Sequence, residues 1–125
     1  MSVETPPKVD EEFPVPGVWR PTFEALVAHF VRGQFQPTEL PEVDPVSNET
    51  AQQMQDYIAD YGEVTLTELT DETWTTSVAQ WLDGIWRTLV DLRTEEEGRS
   101  DLCLETDVRE ADGGYRFEVQ LVYVP

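Results

Sequence analysis

The chain has 125 residues, 39% of them hydrophobic and four of them tryptophan, enough for one buried core and too few for two domains. Its 26 acidic residues outweigh 8 basic ones to give a net charge of −18, which disfavours nucleic-acid phosphate and anionic membrane as partners and favours a basic protein. One cysteine, Cys103, excludes an internal disulfide, and no apolar run approaches the roughly 18 residues of a membrane span or forms a signal peptide at the N-terminus, so a cytoplasmic protein is expected.

Residues 1–17 contain Pro6, Pro7, Pro14 and Pro16 and read as an extended or disordered arm, because proline fixes φ and cannot donate to a strand ladder. Phe13, Val15 and Val18 are the side chains that would lay this arm against the rest, which reads as a single α+β domain over 18–125. The first helix is expected from Pro21 to Arg32: Phe23, Leu26, Val27, Phe30 and Val31 make one apolar stripe, and Gly33 stops it. His29 falls one step off that stripe and reads as a boundary or surface residue rather than a ligand. A connector with Pro37, Pro41 and Pro45 leads to Ser47, an N-cap, and a second helix runs to Tyr61 before Gly62. Its inward face is Ala51, Met54, Ile58 and Tyr61, while Gln52, Gln53, Asp56 and Asp60 face water.

Period-two alternation takes over from there. Val64–Leu69 is a short edge strand, and Trp74–Trp81 is a strand joined through Asp83-Gly84, the dipeptide of a type I′ hairpin, to Ile85–Leu92. Trp86, Val90 and Leu92 share one face of that strand and Ile85 and Leu89 the other, so it is expected to be covered on both sides. After the Thr94–Gly98 loop, Ser100–Glu110 points Leu102, Leu104 and Val108 inward and Asp101, Cys103, Glu105, Asp107 and Arg109 outward. A turn at Asp112-Gly113-Gly114 leads to Tyr115–Val124, with Phe117, Val119, Leu121 and Tyr123 on the core face. The predicted fold is α+β: two N-terminal helices, then a four-stranded antiparallel meander, with Val64–Leu69 as a short fifth strand.

No catalytic, cofactor or metal residue is assigned. The densest carboxylates, Glu95, Glu96 and Glu97 with Asp91 and Asp101, lack the ligand spacing and central glycine of a calcium loop and read as a solvated loop. Cys103 has a single histidine, His29, as candidate base, and no motif joins them. Trp74 and Trp81, seven positions apart in one strand, would face opposite sides, so at least one should be exposed, lie under the arm or meet a partner. The acidic residues are spread along the chain, with 8 acidic and 3 basic residues over 1–45, 8 and 1 over 46–90, and 9 and 3 over 91–112.

The stretch VDLRTEEEGRSDLCLE, Val90 to Glu105, resembles the core of a family of small uncharacterised prokaryotic proteins with a VDL-x-T-x-EEGRSDL pattern after two helices. The resemblance covers most of residues 18–125 and departs from the pattern at Arg93, where the family has tryptophan. It implies a fold and no activity. Size and acidity are similar to those of the immunity proteins of toxin systems, and the order of elements is similar to a cystatin- or NTF2-like roll with a ligand cavity. The reading that follows is a non-enzymatic acidic protein, of the immunity or inhibitor type, that neutralises a basic partner such as a toxin. Trp74 and Trp81 would be its anchors, with Glu95, Glu96, Glu97, Arg99, Asp101, Glu105 and Asp107 at the rim. A roll holding a small molecule, and a halophilic domain whose acidity serves only solvation, are the alternatives.

Overall fold

A computed structural model describes residues 5–125, so the part of the expected arm over 1–4 lies outside the described residues. Helix α1 spans Arg20–Val31 and α2 spans Asn48–Tyr61. Pro21 sits in the first turn of α1, where no amide donor is required, and the Ser47 Oγ accepts the Thr50 N–H at 3.1 Å to cap α2. Six strands are formed among the described residues, not four or five: β1 Phe13–Pro14, β2 Leu66–Thr67, β3 Val78–Leu82, β4 Ile85–Thr94, β5 Gly98–Ala111 and β6 Gly114–Tyr123. They make one open antiparallel sheet in the order β1-β3-β4-β5-β6, with β2 pairing β4 beyond the end of β3.

Both helices cover one face of this sheet. Phe23, Leu26, Val27 and Phe30 of α1 and Ala51 and Met54 of α2 join Trp86, Val90, Leu92, Leu102, Leu104, Val108 and Phe117 in one buried cluster. Trp19, fully buried in the 3-10 turn before α1, stands edge-on to Trp86 at 5.2 Å, Tyr115 at 5.5 Å and Phe117 at 6.4 Å. Each such aromatic pair adds about 0.5–1.5 kcal/mol to the area it buries.

The Asp83-Gly84 hairpin forms as its sequence requires, with Leu82 opposite Ile85 and positive φ at both turn residues (50° and 103°). The strand expected over Trp74–Trp81 does not run its full length. Asp71–Thr75 is a 3-10 turn in which Thr70 and Thr73 cap each other's backbone, and β3 begins only at Val78. The opposite-face argument for Trp74 and Trp81 therefore fails, since only Trp81 belongs to the strand. On β6 the expected core face also changes part-way. Glu105 lies opposite Leu121 but Thr106 lies opposite Val119, so Gln120 is an extra residue, and the bulge turns Val122 into the core in place of Leu121 and Tyr123.

Both outer edges of the sheet are covered over part of their length, β3 by backbone and β6 by backbone and one side-chain amide. Along β3, Phe13 and Pro14 pair with Ala79 and Val78, and the Trp81 N–H donates to the Val9 carbonyl at 2.9 Å. The Trp86 Nε1–H donates to the Pro7 carbonyl at 2.7 Å, and Val15 is fully buried, although Val18 is 52% exposed. Along β6, Phe117 donates to Glu42 and accepts from Asp44. Gln53, expected to face water, instead presents its side-chain amide to Val122 like a further strand residue, donating at 2.8 Å and accepting at 3.2 Å. No described N–H row on either edge is left as a template for another chain along these stretches.

Candidate functional site

The residues singled out in the sequence do not converge. Trp74 is 7% exposed, packed against Phe23 with the Arg20 guanidinium over its ring. Trp81 is half-buried on the helix side, edge-on to Trp86 at 4.8 Å and beneath the Lys8 ammonium. The acidic loop sits elsewhere, against the C-terminal end of α2 and the start of β2. Glu96 accepts the Thr65 N–H at 2.8 Å, which holds its carboxyl below the usual range, and the Glu95 N–H donates to the Thr65 carbonyl. Glu97 accepts the Tyr61 hydroxyl at 2.8 and 2.9 Å, and the Asp101 N–H donates to the same hydroxyl oxygen at 3.2 Å.

The VDLRTEEEGRSDL stretch is thus a hairpin whose loop is tied to Tyr61 of α2 and to Thr65 before β2. Thr94 Oγ1 accepts the Glu97 N–H, and Gly98 takes the positive φ (71°) that closes the loop. Between the Asp91–Cys103 and Arg93–Arg99 pairs β5 carries two extra residues. Ser100 satisfies the backbone there, donating to the Leu92 carbonyl at 2.8 Å and accepting the Leu102 N–H. Thr94 and Ser100 shape the turn, while Glu96 and Glu97 fasten it to the neighbouring elements.

Glu105 and Asp107 lie on the face of the sheet away from the helices. The strand register places Val78, Leu89, Glu105 and Leu121 in one row across β3, β4, β5 and β6, and Gln80, Arg87, Asp107 and Glu118 in the next. β4 was expected to be covered on both faces. Its residues instead alternate strictly between buried on the helix side and partly exposed here, because no described element lies over the centre of this face. Arg87 bridges Asp107 at 3.1 Å and Glu105 at 3.7 Å, and Tyr123 donates to Glu105 at 3.2 Å. Cys103, expected to point outward to solvent, is on this face but only 2% exposed, and burial, with Asp91 and Glu105 nearby, pushes its thiol up to about 12. A thiol protonated at neutral pH is a poor nucleophile. His29 is buried as well, its Nδ1 2.7 Å from Gln34 Oε1.

Charge is sorted between the two sides, which the count along the chain did not show. Five of the eight basic residues, Arg87, Arg93, Arg99, Arg109 and Arg116, fall on the bare face beside Asp91, Glu105, Asp107 and Glu118. Between Gly33 and Trp86 the chain has eleven acidic residues and no lysine or arginine. Among these, Glu49, Asp56 and Asp60 form one exposed stripe along α2, where with Gln52, Gln53 and Tyr57 they line a shallow groove of about 540 Å³. Asp44 is an exception: burial opposes its charge, but hydrogen bonds from Arg116 and Arg109 hold its carboxyl below the usual range. Among the described residues no three His, Cys, Asp or Glu side chains converge as a metal site, and no helix is long and apolar enough to cross a membrane.

The model of one protein family, described as Domain of unknown function (DUF7668), matches residues 27–125. The chain belongs to this family. The match begins inside α1, so the arm and the 3-10 turn carrying Trp19 precede the shared region. No curated protein and no solved structure matches the chain.

Proposed function

We propose that this family member is a non-enzymatic binding protein of the immunity or inhibitor type, whose helix-side surface captures a basic protein. The observation that carries the reading is the segregation of charge. Acidity that served only solvation would have no reason to leave one side of the sheet near neutral while gathering unpaired carboxylates on α2 and its flanking loops. Glu49, Asp56 and Asp60 would act by long-range attraction, raising the rate of encounter on the order of tenfold or more at low salt. The tryptophans are not the anchors in this reading, since Trp74 is buried and Trp81 is packed on Trp86 beneath Lys8. Gln52 and the Tyr57 ring, which line the same groove, supply the short-range contacts, while the Gln53 amide stays bound to Val122.

The test is capture from lysate on the immobilised full chain, with elution by rising salt. Basic proteins released by salt, retained equally by an Arg87→Asp variant and lost by a Glu49→Lys/Asp56→Lys/Asp60→Lys variant, are the expected outcome. Equal retention by the triple variant, or an eluate without basic proteins, overturns the proposal.

A further inference from the structure

The bare face of the sheet has a pattern that the helix side lacks. It is amphiphilic, with Val78, Leu82, Ile85, Leu89, Leu121 and Tyr123 all partly exposed around the Arg87 ion pairs. Its five arginines are balanced by Asp91, Glu105, Asp107 and Glu118 together with Asp44 at the rim, which takes Arg109 and Arg116, in a molecule of net charge −18. Its two halves are also complementary to each other. In the central polar row the β3 and β4 side contributes Gln80 and Arg87, a hydrogen-bond donor and a cation, and the β5 and β6 side contributes Asp107 and Glu118, two anions.

We propose that this face joins two copies of the chain, sheet against sheet. A two-fold axis along the strand direction, between β4 and β5, lays each row over itself in reverse. Arg87 then stands over Asp107 of the second copy, Gln80 over its Glu118 and Val78 over its Leu121, and each contact occurs twice. Aligned packing of this kind holds two sheets about 10 Å apart with strands within about 30°. Four strands about 4.8 Å apart and about eight residues long at ~3.3 Å per residue span roughly 500 Å², so two faces bury roughly 1,000 Å², the lower end for a specific interface. The near-neutral face is also where two strongly anionic molecules can meet with least repulsion, whereas a basic partner gains nothing from a surface whose charges already cancel. Both edges of the sheet are partly covered, which favours association through the face.

Because the remaining surface of each copy is anionic, added salt screens the mutual repulsion and the dimer tightens as salt rises, opposite to the capture of a basic partner. Sedimentation of the full chain at low and high salt reads this. A dimer whose dissociation constant falls at high salt is expected, and a monomer at every salt and at high micromolar concentration overturns the proposal. Leu121→Lys, at a partly exposed position that stands over Val78 of the second copy, should fold and bind itself about tenfold or more weaker. Arg87→Asp and Asp107→Arg chains, each monomeric alone, should form a one-to-one heterodimer when mixed, because opposite charges then face each other across the axis twice. Folded single variants, confirmed by circular dichroism, that stay monomeric in the mixture overturn the pairing.

Discussion

The two sides of the sheet come from the same strands and differ in almost everything else. On β4, Trp86, Thr88, Val90 and Leu92 are completely buried, and the residues between them, Arg87, Leu89 and Asp91, are not. One side is an interior of interlocked aromatics and leucines that carries stability. The other holds hydrophobic residues that the chain itself leaves half-covered, with charges matched in place. The lesson is that an apolar residue on a strand does not identify core. Leu89 and Val90 are neighbours of similar hydrophobicity, and only the position of the helices separates them.

The largest effect should come from the helix side. Trp86→Ala removes a fully buried indole, its edge-on partners Trp19 and Trp81 and its bond to the arm, and should cost about 3–5 kcal/mol in denaturant unfolding. Leu89→Ala, one strand face away, should cost about 1 kcal/mol or less; a loss as large as that of Trp86→Ala would mean that the two sides do not differ as described. At the hairpin that ties β4 to β5, Gly98→Ala forces a side chain into positive φ. Its Cβ would meet only the Arg93 guanidinium at 3.6 Å, so the cost is that of the backbone, about 1–2 kcal/mol.

Asp44 links the two sides, receiving Arg109 and Arg116 at the rim of β6. Its carboxyl is held below its ordinary value of 3.8, so it favours folding above that pH, and the contribution disappears as pH falls through the lowered value. Asp44→Asn should be less stable than wild type by about 1 kcal/mol at neutral pH, allowing for solvent screening, and the gap should close in acid melts. A gap that persists unchanged at low pH would show that the ion pairs contribute nothing. The smallest effect on stability, within about 0.5 kcal/mol in thermal melts, should come from converting Glu49, Asp56 and Asp60 to glutamine, since their charges have no basic neighbour on the helix.

Much of the architecture was legible because local signals and the tertiary fold agree. The stripe of α1, the Ser47 cap, the Asp83-Gly84 turn and the alternation of β4 all point the same way. The misreadings have definite causes. The turn at Asp71–Thr73 forms, but it extends through Trp74 to Thr75, and the tryptophan that was expected to open the strand sits in the turn instead. At Gln120 a single extra residue, which has no sequence signature of its own, reversed the facing of Leu121 and Val122. Charge segregation was invisible for another reason: the arginines of β4, β5 and β6 alternate with core residues along the chain and meet only when the strands pair.

The proline-rich arm has a consequence of its own. It occupies the hydrogen-bonding side of β3 with a segment that contains Pro14, a residue unable to pass a ladder onward. A protease that clipped before Trp19 would uncover a strand whose amides are already aligned, and two molecules stripped in this way would pair β3 against β3, the β6 edge of each keeping its cover from Glu42, Asp44 and Gln53. The arm is in this sense a stopper, and its loss should be read out by a doubled mass in sedimentation before any change in helix content.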